Sequence, residues 1–276
     1  MEESAISVPR RPAPLRFEGM SLSPRTARRI ASPVLVLLAW QIGASTHLIP
    51  ATKLAAPSTI LATFWSLLTS GELLGDLAVS LTRVTVGVVL GVAIGTALGL
   101  LAGLSRTGDD AVDPLMQGLR TLPYLGMAPL LILWFGIGEM PKIALVAFAS
   151  AFPVYMTLLG GIRSVDPKLI EAAKVFGLNR AQTIRNVILP GALAPALVGL
   201  RYALGAAWLS LVVSEQINAD RGIGHMIMDA RDFLRTDIIV VGLLVYAILG
   251  LATDALVRLV EHRALAWRPA LVKEKP

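Results

Sequence analysis

The side chains that most often do chemistry in proteins are sparse in this 276-residue sequence. Its three histidines, His47, His225 and His262, are far apart and lack the spacing of metal ligands. Cysteine is absent, which excludes disulfides and thiolate metal sites. No lysine follows a glycine, so the phosphate-binding loop of many ATPases is missing. We therefore predict that the chain is not an enzyme and holds neither a metal nor ATP.

One charged residue lies deep in an apolar run, where it could meet an anion. Arg201 interrupts the hydrophobic stretch 192–213, and an arginine inside a membrane segment is a functional candidate by default. We predict that Arg201 lines a substrate pathway with Trp208 and Tyr155. The alternatives are that Arg201 extends to the nearer membrane face or pairs with an acid on another helix, and that the aromatic residues are interface anchors.

A polar stretch at 166–190 has the pattern of two short helices that meet at a sharp turn. Asp166 can cap the first helix, and Pro167 fits its first turn. Gly177 suits the left-handed residue that ends this helix. Four apolar residues share one helix face: Leu169, Ala172, Ala173 and Phe176.

The second helix of this stretch has its own start signal. Asn179, with Gln182 three residues later, can form a capping box, and we predict that Pro190 ends the unit. Helices this short are unstable alone in water. The pair must therefore dock against another part of the protein or a partner.

The rest of the chain has the composition of a membrane protein. It is 55% hydrophobic and 16% charged, whereas soluble domains carry about 25% charged residues. Long uncharged blocks indicate transmembrane helices of about 20 residues. We predict an all-α integral membrane protein whose net charge of +6 serves orientation rather than nucleic-acid binding. The six predicted spans are 30–49, 84–104, 123–137, 143–162, 192–213 and 238–257.

The lysines and arginines orient these spans. With an even number of spans, both termini share one side with the segments 105–120 and 163–190, and that side holds most of the basic residues. The positive-inside rule therefore places both termini in the cytoplasm. We divide the chain into a basic tail (1–29), a first span (30–49), an external loop with an amphipathic segment (50–75), a core (76–260) and a second tail (261–276).

The second span carries a glycine at every fourth residue. This spacing forms a groove that lets a neighbouring helix approach closely. We predict tight helix packing along this face, with a sliding interface as the alternative. The glycines are Gly87, Gly91, Gly95, Gly99 and Gly103.

The polar stretch resembles the signature loop of bacterial ABC-importer permeases. That signature is Glu-Ala-Ala, three residues, Gly, nine residues, Ile, one residue and Leu-Pro. Glu171-Ala172-Ala173, Gly177 and Leu189-Pro190 match it, and Val187 stands at the Ile position. The resemblance implies a coupling helix that seats in a groove of an ATPase subunit. The residues expected to make this contact are Leu169, Glu171, Ala172, Ala173, Phe176 and Gly177.

The resemblance extends over nearly the whole chain, to the nitrate, sulfonate and taurine branch of these permeases. The region from Ile217 to Asp237 and the closing Trp267-Arg268-Pro269 are most similar to aliphatic sulfonate permeases. Five further segments resemble the branch: LAAPSTIL at 54–61, SGEL at 70–73, ILWFGIG at 132–138, LPGAL at 189–193 and RGIG at 221–224.

This family implies the type I ABC-importer permease fold in the bacterial cytoplasmic (inner) membrane. It further implies a homodimer in the lipid bilayer, two ATPase subunits that bind ATP and Mg²⁺, and an external substrate-binding protein. We expect aliphatic sulfonates as substrates, with taurine or nitrate as alternatives. A different class, the ion-coupled secondary transporter, would need buried acids or histidines at the centres of the spans. A membrane-embedded enzyme would need a nucleophile, base or metal constellation that the sequence lacks.

Overall fold

The computed structural model describes residues 24–267, with side chains at 31–123, 126–217 and 219–267. Every regular element in this part of the chain is helical. Most of the predicted basic tail and residues 268–276 lie outside the described residues. The elements are α1 (Pro24–Ser45), α2 (Pro57–Thr69), α3 (Glu72–Leu104), α4 (Arg106–Arg120), a 3-10 turn (Tyr124–Met127), α5 (Ala128–Phe135), α6 (Glu139–Arg163), α7 (Pro167–Val175), α8 (Arg180–Thr183), a π-turn (Ile184–Ile188), α9 (Leu189–Asn218), α10 (Ile223–Asp232) and α11 (Thr236–Ala264).

Four helices in the described part of the chain are long and apolar enough to cross a membrane. They are α3, α6, the continuous run from α8 to α9, and α11. Residues Ala31–Ser45 of α1 form a shorter apolar helix. An all-helical membrane architecture is therefore confirmed, and the exact count of six spans stays a prediction.

Helices α3 and α6 lie side by side and run in the same direction. A Cβ added at Gly87 would lie 2.5 Å from Val146 Cγ1, and one added at Gly103 would lie 2.6 Å from Ile162 Cδ1. Because the contact partners advance together along both helices, the two helices are parallel. Five glycines of α3 face α6, and all except the half-buried last one are buried: Gly87, Gly91, Gly95, Gly99 and Gly103.

Because α3 and α6 are parallel, the chain must run back along the bundle after α3 ends and before α6 begins. Helix α4 begins this return, and its Asp113 accepts a hydrogen bond of 2.8 Å from Tyr155 Oη in α6. Helix α5 completes it, and its Leu131 packs against Leu145 near the start of α6. The return is thus made by a broken helix that runs antiparallel to α6.

This return corrects two predictions. Residues 105–120 are not a loop, because 106–120 form the helix α4, which packs on α3 and contacts Tyr155 of α6. Residues 123–137 are not one spanning helix, because α5 has eight residues and covers about 12 Å at 1.5 Å per residue. Pro123 precedes the 3-10 turn and Pro129 lies in the first turn of α5, so both stand at the break that prolines produce.

Pro190 lies inside a helical run, which corrects the prediction that it ends one. The helix is continuous from Arg180 through the π-turn at Ile184–Ile188 into α9. The π-turn resets the hydrogen-bond register just before Pro190, so the proline occupies the first turn of an α-segment, where its missing N–H costs little. The fifth predicted span therefore begins twelve residues earlier than Ala192.

Helix α9 runs antiparallel to α6 and fills the centre of the bundle. Gly161 approaches Ala192, whereas Gly199 approaches Thr157, so the partners advance in opposite directions. The bundle consequently has two ends. One carries α7 and the turns that follow Leu104 and Arg163, and we call it the α7 end. The other carries α10 and the starts of α3, α6 and α11, and we call it the α10 end.

Candidate functional site

The predicted start and end of α7 are confirmed. The Asp166 side chain accepts a hydrogen bond of 2.9 Å from the Lys168 backbone N–H, and Pro167 is the first helical residue. Gly177 has φ +77°, a backbone conformation that glycine adopts without the steric cost of a Cβ. The predicted capping box is also present, because Asn179 Oδ1 accepts from the Gln182 N–H and Gln182 Oε1 accepts from the Asn179 N–H, each at 2.9 Å.

The apolar face of α7 remains largely open. Phe176 is 81% exposed and Leu169 is 56% exposed, whereas Ala173 is buried. These side chains line a cavity of about 450 Å³ that continues to Pro190 and Trp267. Large apolar groups gathered on an open surface are typical of a docking site for another protein. The remaining coupling candidates, Glu171 and Ala172, are exposed on the same short helix.

Short connections join α7 to the two central helices. Residues 164–166 link it to the end of α6, and residues 176–179 link it to α8. Arg180 Nη2 donates a hydrogen bond of 2.8 Å to the Leu104 carbonyl oxygen, which also ties this region to α3. Helix α7 is therefore tied closely to α6 and to the α8–α9 run.

Arg201 is held by two carboxylates of α11. Its Nη2 lies 2.7 Å from Glu261 Oε2, and its Nε lies 3.2 Å from Asp254 Oδ1, an ion-pair distance without hydrogen-bond geometry. Asp254 is also 2.9 Å from Arg258. This arrangement favours the alternative in which Arg201 pairs with acids on another helix.

The two aromatic pathway candidates are buried and hydrogen-bonded. Trp208 Nε1 donates to Thr253 Oγ1 at 3.1 Å, and its ring contacts Tyr246 edge to face. Tyr155 is fully buried and donates to Asp113. These contacts give both residues a packing role, and their contact with a substrate stays a prediction.

A buried carboxylate that sequence reasoning missed organises the α10 end. Glu215 is 0% exposed. Its Oε1 accepts from Arg83 Nη1 and from Ser80 Oγ, both at 2.8 Å, and its Oε2 accepts from the Gly224 N–H at 2.9 Å and from Tyr246 Oη at 3.1 Å. One carboxylate thus joins α3, α9, α10 and α11.

Arg83 extends this network to α6. Its Nε and Nη2 contact the Glu139 carboxylate at 2.5 and 2.7 Å, and its Nη1 donates to the Arg221 carbonyl oxygen at 2.6 Å. The sequence contains a signal for this pair, because one predicted span starts just after Arg83 and another ends just before Glu215. Two opposite charges at the same end of neighbouring spans are candidates for pairing.

The two ends of the bundle differ in their chemistry. Within the described part of the chain, no group of three or more His, Asp or Glu side chains could hold a metal ion. The α7 end presents an apolar docking face, and the α10 end is tied together by buried charge.

A protein-family model matches more than half of the chain. The family model described as "Binding-protein-dependent transport system inner membrane component" matches residues 87–265. The matched region contains α4 to α11 and the second half of α3.

Three curated relatives illustrate the similarity. The putative aliphatic sulfonates transport permease protein SsuC of Escherichia coli (strain K12) is 45% identical over 86% of this chain and 90% of its own length. The protein of the same name from Bacillus subtilis (strain 168) is 42% identical over 86% of each chain. The taurine transport system permease protein TauC of Escherichia coli (strain K12) is 36% identical over 89% of this chain and 91% of its own.

Solved structures share the fold at lower sequence identity. An amino acid ABC transporter crystallised with histidines has a chain with a TM-score of 0.60 and 23% identity, covering 72% of this chain and 98% of that one. A chain of the MetNI methionine ABC transporter in an inward-facing conformation has a TM-score of 0.54 and 20% identity, covering 66% and 92%. The arrangement of helices is therefore that of ABC-importer permeases.

Proposed function

The chain belongs to the family of binding-protein-dependent transport system inner membrane components, and from this we propose that it is the pathway-forming permease subunit of an ATP-driven importer of aliphatic sulfonates. The observation that carries the substrate class is its 42–45% identity to aliphatic sulfonate permeases over 86% of the chain. The family is one of transport subunits rather than enzymes. In this proposal ATP and Mg²⁺ are bound by a partner chain.

The proposed assembly contains two copies of this chain, two ATPase subunits and an external binding protein. The chain crosses the inner membrane six times, with α1 and the α4–α5 return as the two crossings that apolar length alone does not identify. Both termini and α7 face the cytoplasm. The charges support this orientation, because the α7 end carries Arg163, Lys168, Lys174, Arg180 and Arg185 close together, as the positive-inside rule requires.

The ATPase contact is proposed for the exposed face of α7. Phe176 and Leu169 would insert into an apolar groove of the ATPase, and Glu171, Ala172, Ala173 and Gly177 would shape the helix and its end. The support is geometric. The helix is nine residues long and presents large apolar side chains. Connections of only three or four residues join it to two long helices, so a displacement of α7 would be passed on to those helices.

The test is reconstitution in proteoliposomes. We expect butanesulfonate uptake with this chain, its ATPase, ATP and the binding protein, and none when the ATPase is omitted. Uptake by this chain alone in an ion gradient would instead establish a secondary transporter. If taurine or nitrate at an equal concentration inhibits butanesulfonate uptake, the inhibiting compound would become the assigned substrate within the same family.

Replacing Gly177 by valine is expected to uncouple ATP hydrolysis from uptake. No atom lies within 4 Å of a Cβ added at this position, so the effect comes from the backbone alone. A residue other than glycine held at φ +77° costs on the order of 1–2 kcal/mol, and a β-branched one is disfavoured further. We expect sulfonate molecules transported per ATP to fall several-fold.

Asparagine is the matched control at this position, because it tolerates the left-handed conformation. Gly177→Asn should keep coupling within about twofold of wild type, a margin that corresponds to about 0.4 kcal/mol. Wild-type coupling in Gly177→Val would show that this turn is not needed.

A further inference from the structure

An apolar cavity of about 260 Å³ lies midway along the bundle, between α3, α4, α6 and α9. Ile94, Phe148, Phe152 and Ala206 contribute to its wall. Eleven of its twelve lining residues are apolar, and the twelfth is Arg120 at the end of α4. A cavity slightly below the usual range of ligand pockets suits a small molecule.

Arg120 lies far from both ends of the bundle. Its cavity neighbour Phe148 is nine residues after Glu139 and fifteen before Arg163 along α6, about 14 and 22 Å at 1.5 Å per residue. The segment 105–120, which the sequence predicts to be a loop, is helix α4, and Arg120 is its last residue. A charge at this depth must face water, protein or a ligand rather than hydrocarbon.

The surroundings of Arg120 differ from those of Arg83 and Arg201. Arg83 and Arg201 each contact two carboxylates. In the described part of the chain, no carboxylate lies within ion-pair distance of Arg120. Arg120 is exposed at the rim of the cavity, so its charge is free to pair with an anion there.

We propose that Arg120 and this cavity form a transit site for an alkyl sulfonate within the permease, an inference that rests on the proposed function. The guanidinium presents N–H donors in a planar fork that fits two oxygens of an oxyanion. The apolar wall accepts the alkyl chain. Arg120 thus suits the sulfonate group, and the apolar wall suits the alkyl chain.

The same geometry discriminates among small sulfonates. Taurine carries an ammonium group in place of the alkyl terminus, and that group would lie against an apolar wall without a carboxylate partner. Burial of an unpaired charge is unfavourable. The site therefore selects an alkyl sulfonate over a zwitterionic one of similar length.

Transport by the reconstituted complex provides the first test. We expect Arg120→Gln to lower butanesulfonate uptake at least tenfold while ATP hydrolysis stimulated by the binding protein stays within twofold of wild type. Arg120→Lys keeps the charge and should retain intermediate uptake. Arg106→Gln removes the same charge from the exposed opposite end of α4 and should transport like wild type.

Two outcomes of this test would overturn the transit site. One is wild-type uptake in Arg120→Gln. The other is loss of complex assembly in Arg120→Gln with assembly restored by Arg120→Lys, which would show that the charge pairs with another chain. A wild-type complex that imports no sulfonate would refute the proposed function itself, whatever the behaviour of Arg120.

Thiol labelling tests the anion site without transport. The chain has no cysteine, so Ala206→Cys places a single reporter in the cavity, and Leu119→Cys provides a second one. The probes are a sulfonatoethyl methanethiosulfonate and its trimethylammonium counterpart, applied to the assembled complex. We expect the ratio of anionic to cationic labelling rates to fall at least fivefold when Arg120→Gln is added. An unchanged ratio, or no labelling by either reagent at both positions, would refute the site.

Discussion

Replacing Glu215 by alanine is expected to lower the thermal midpoint of the purified protein by on the order of 10 °C. The substitution removes a fully buried carboxylate and leaves Ser80, Tyr246 and the Gly224 N–H without their acceptor. It also takes one of two carboxylates from Arg83. Removal of one partner from a buried charge network typically costs about 3–5 kcal/mol, and each kcal/mol shifts the midpoint of a domain this size by about 2–4 °C.

Glu261→Ala is the matched control for this measurement. Its carboxylate is 33% exposed and contacts Arg201, which keeps Asp254 as a second partner. Partly exposed ion pairs contribute about 0–1 kcal/mol, so the midpoint should move by at most a few degrees. Equal shifts in the two variants would show that the network at the α10 end has no special role in stability.

Replacing Gly95 by alanine is expected to separate α3 from α6. The added Cβ would overlap the carbonyl oxygen of Ala151 and lie 3.1 Å from Val154 Cβ. The carbonyl belongs to the backbone, so relief requires movement of a whole helix. Overpacking of this kind costs about 1–3 kcal/mol, which should appear as a lower thermal midpoint and a smaller yield of folded protein.

The same helix supplies the control. Gly75 lies near the start of α3, and nothing is within 4 Å of a Cβ added there. Gly75→Ala should be neutral or stabilising, because alanine favours helix by about 1 kcal/mol over glycine. Gly99→Ala should be intermediate, since its Cβ would lie 3.2 Å from the flexible end of Leu158. If Gly95→Ala behaves like Gly75→Ala, the close packing has been misjudged.

Features decided by a few neighbouring residues could be predicted from the sequence. The cap at Asp166, the left-handed Gly177 and the capping box at Asn179 each depend on backbone chemistry within about four residues. These signals survive in any tertiary context that leaves the segment exposed. Their agreement with the structure follows from that locality.

Features decided by partners far along the chain could not be predicted in the same way. Glu215 and Arg83 are 132 residues apart and lie just outside the predicted spans 192–213 and 84–104, so no local pattern indicates that they pair. The return by α4 and α5 follows from the parallel packing of α3 and α6, which no local pattern encodes. The prediction for Pro190 was wrong because the π-turn at Ile184–Ile188 places the proline in the first turn of α9.

The broken return from Arg106 to Phe135 also bears on how the chain is made. Its first helix contains two arginines and three aspartates, Arg106, Asp109, Asp110, Asp113 and Arg120. Each charge disfavours entry into a bilayer during synthesis by about 2.5–3.5 kcal/mol near the membrane centre. This stretch therefore depends on α3 and α6 to shelter it, so the ribosome must complete α6 before the return can settle. The topology of residues 106–135 is therefore fixed only after α6, which follows them in the chain, has been synthesised.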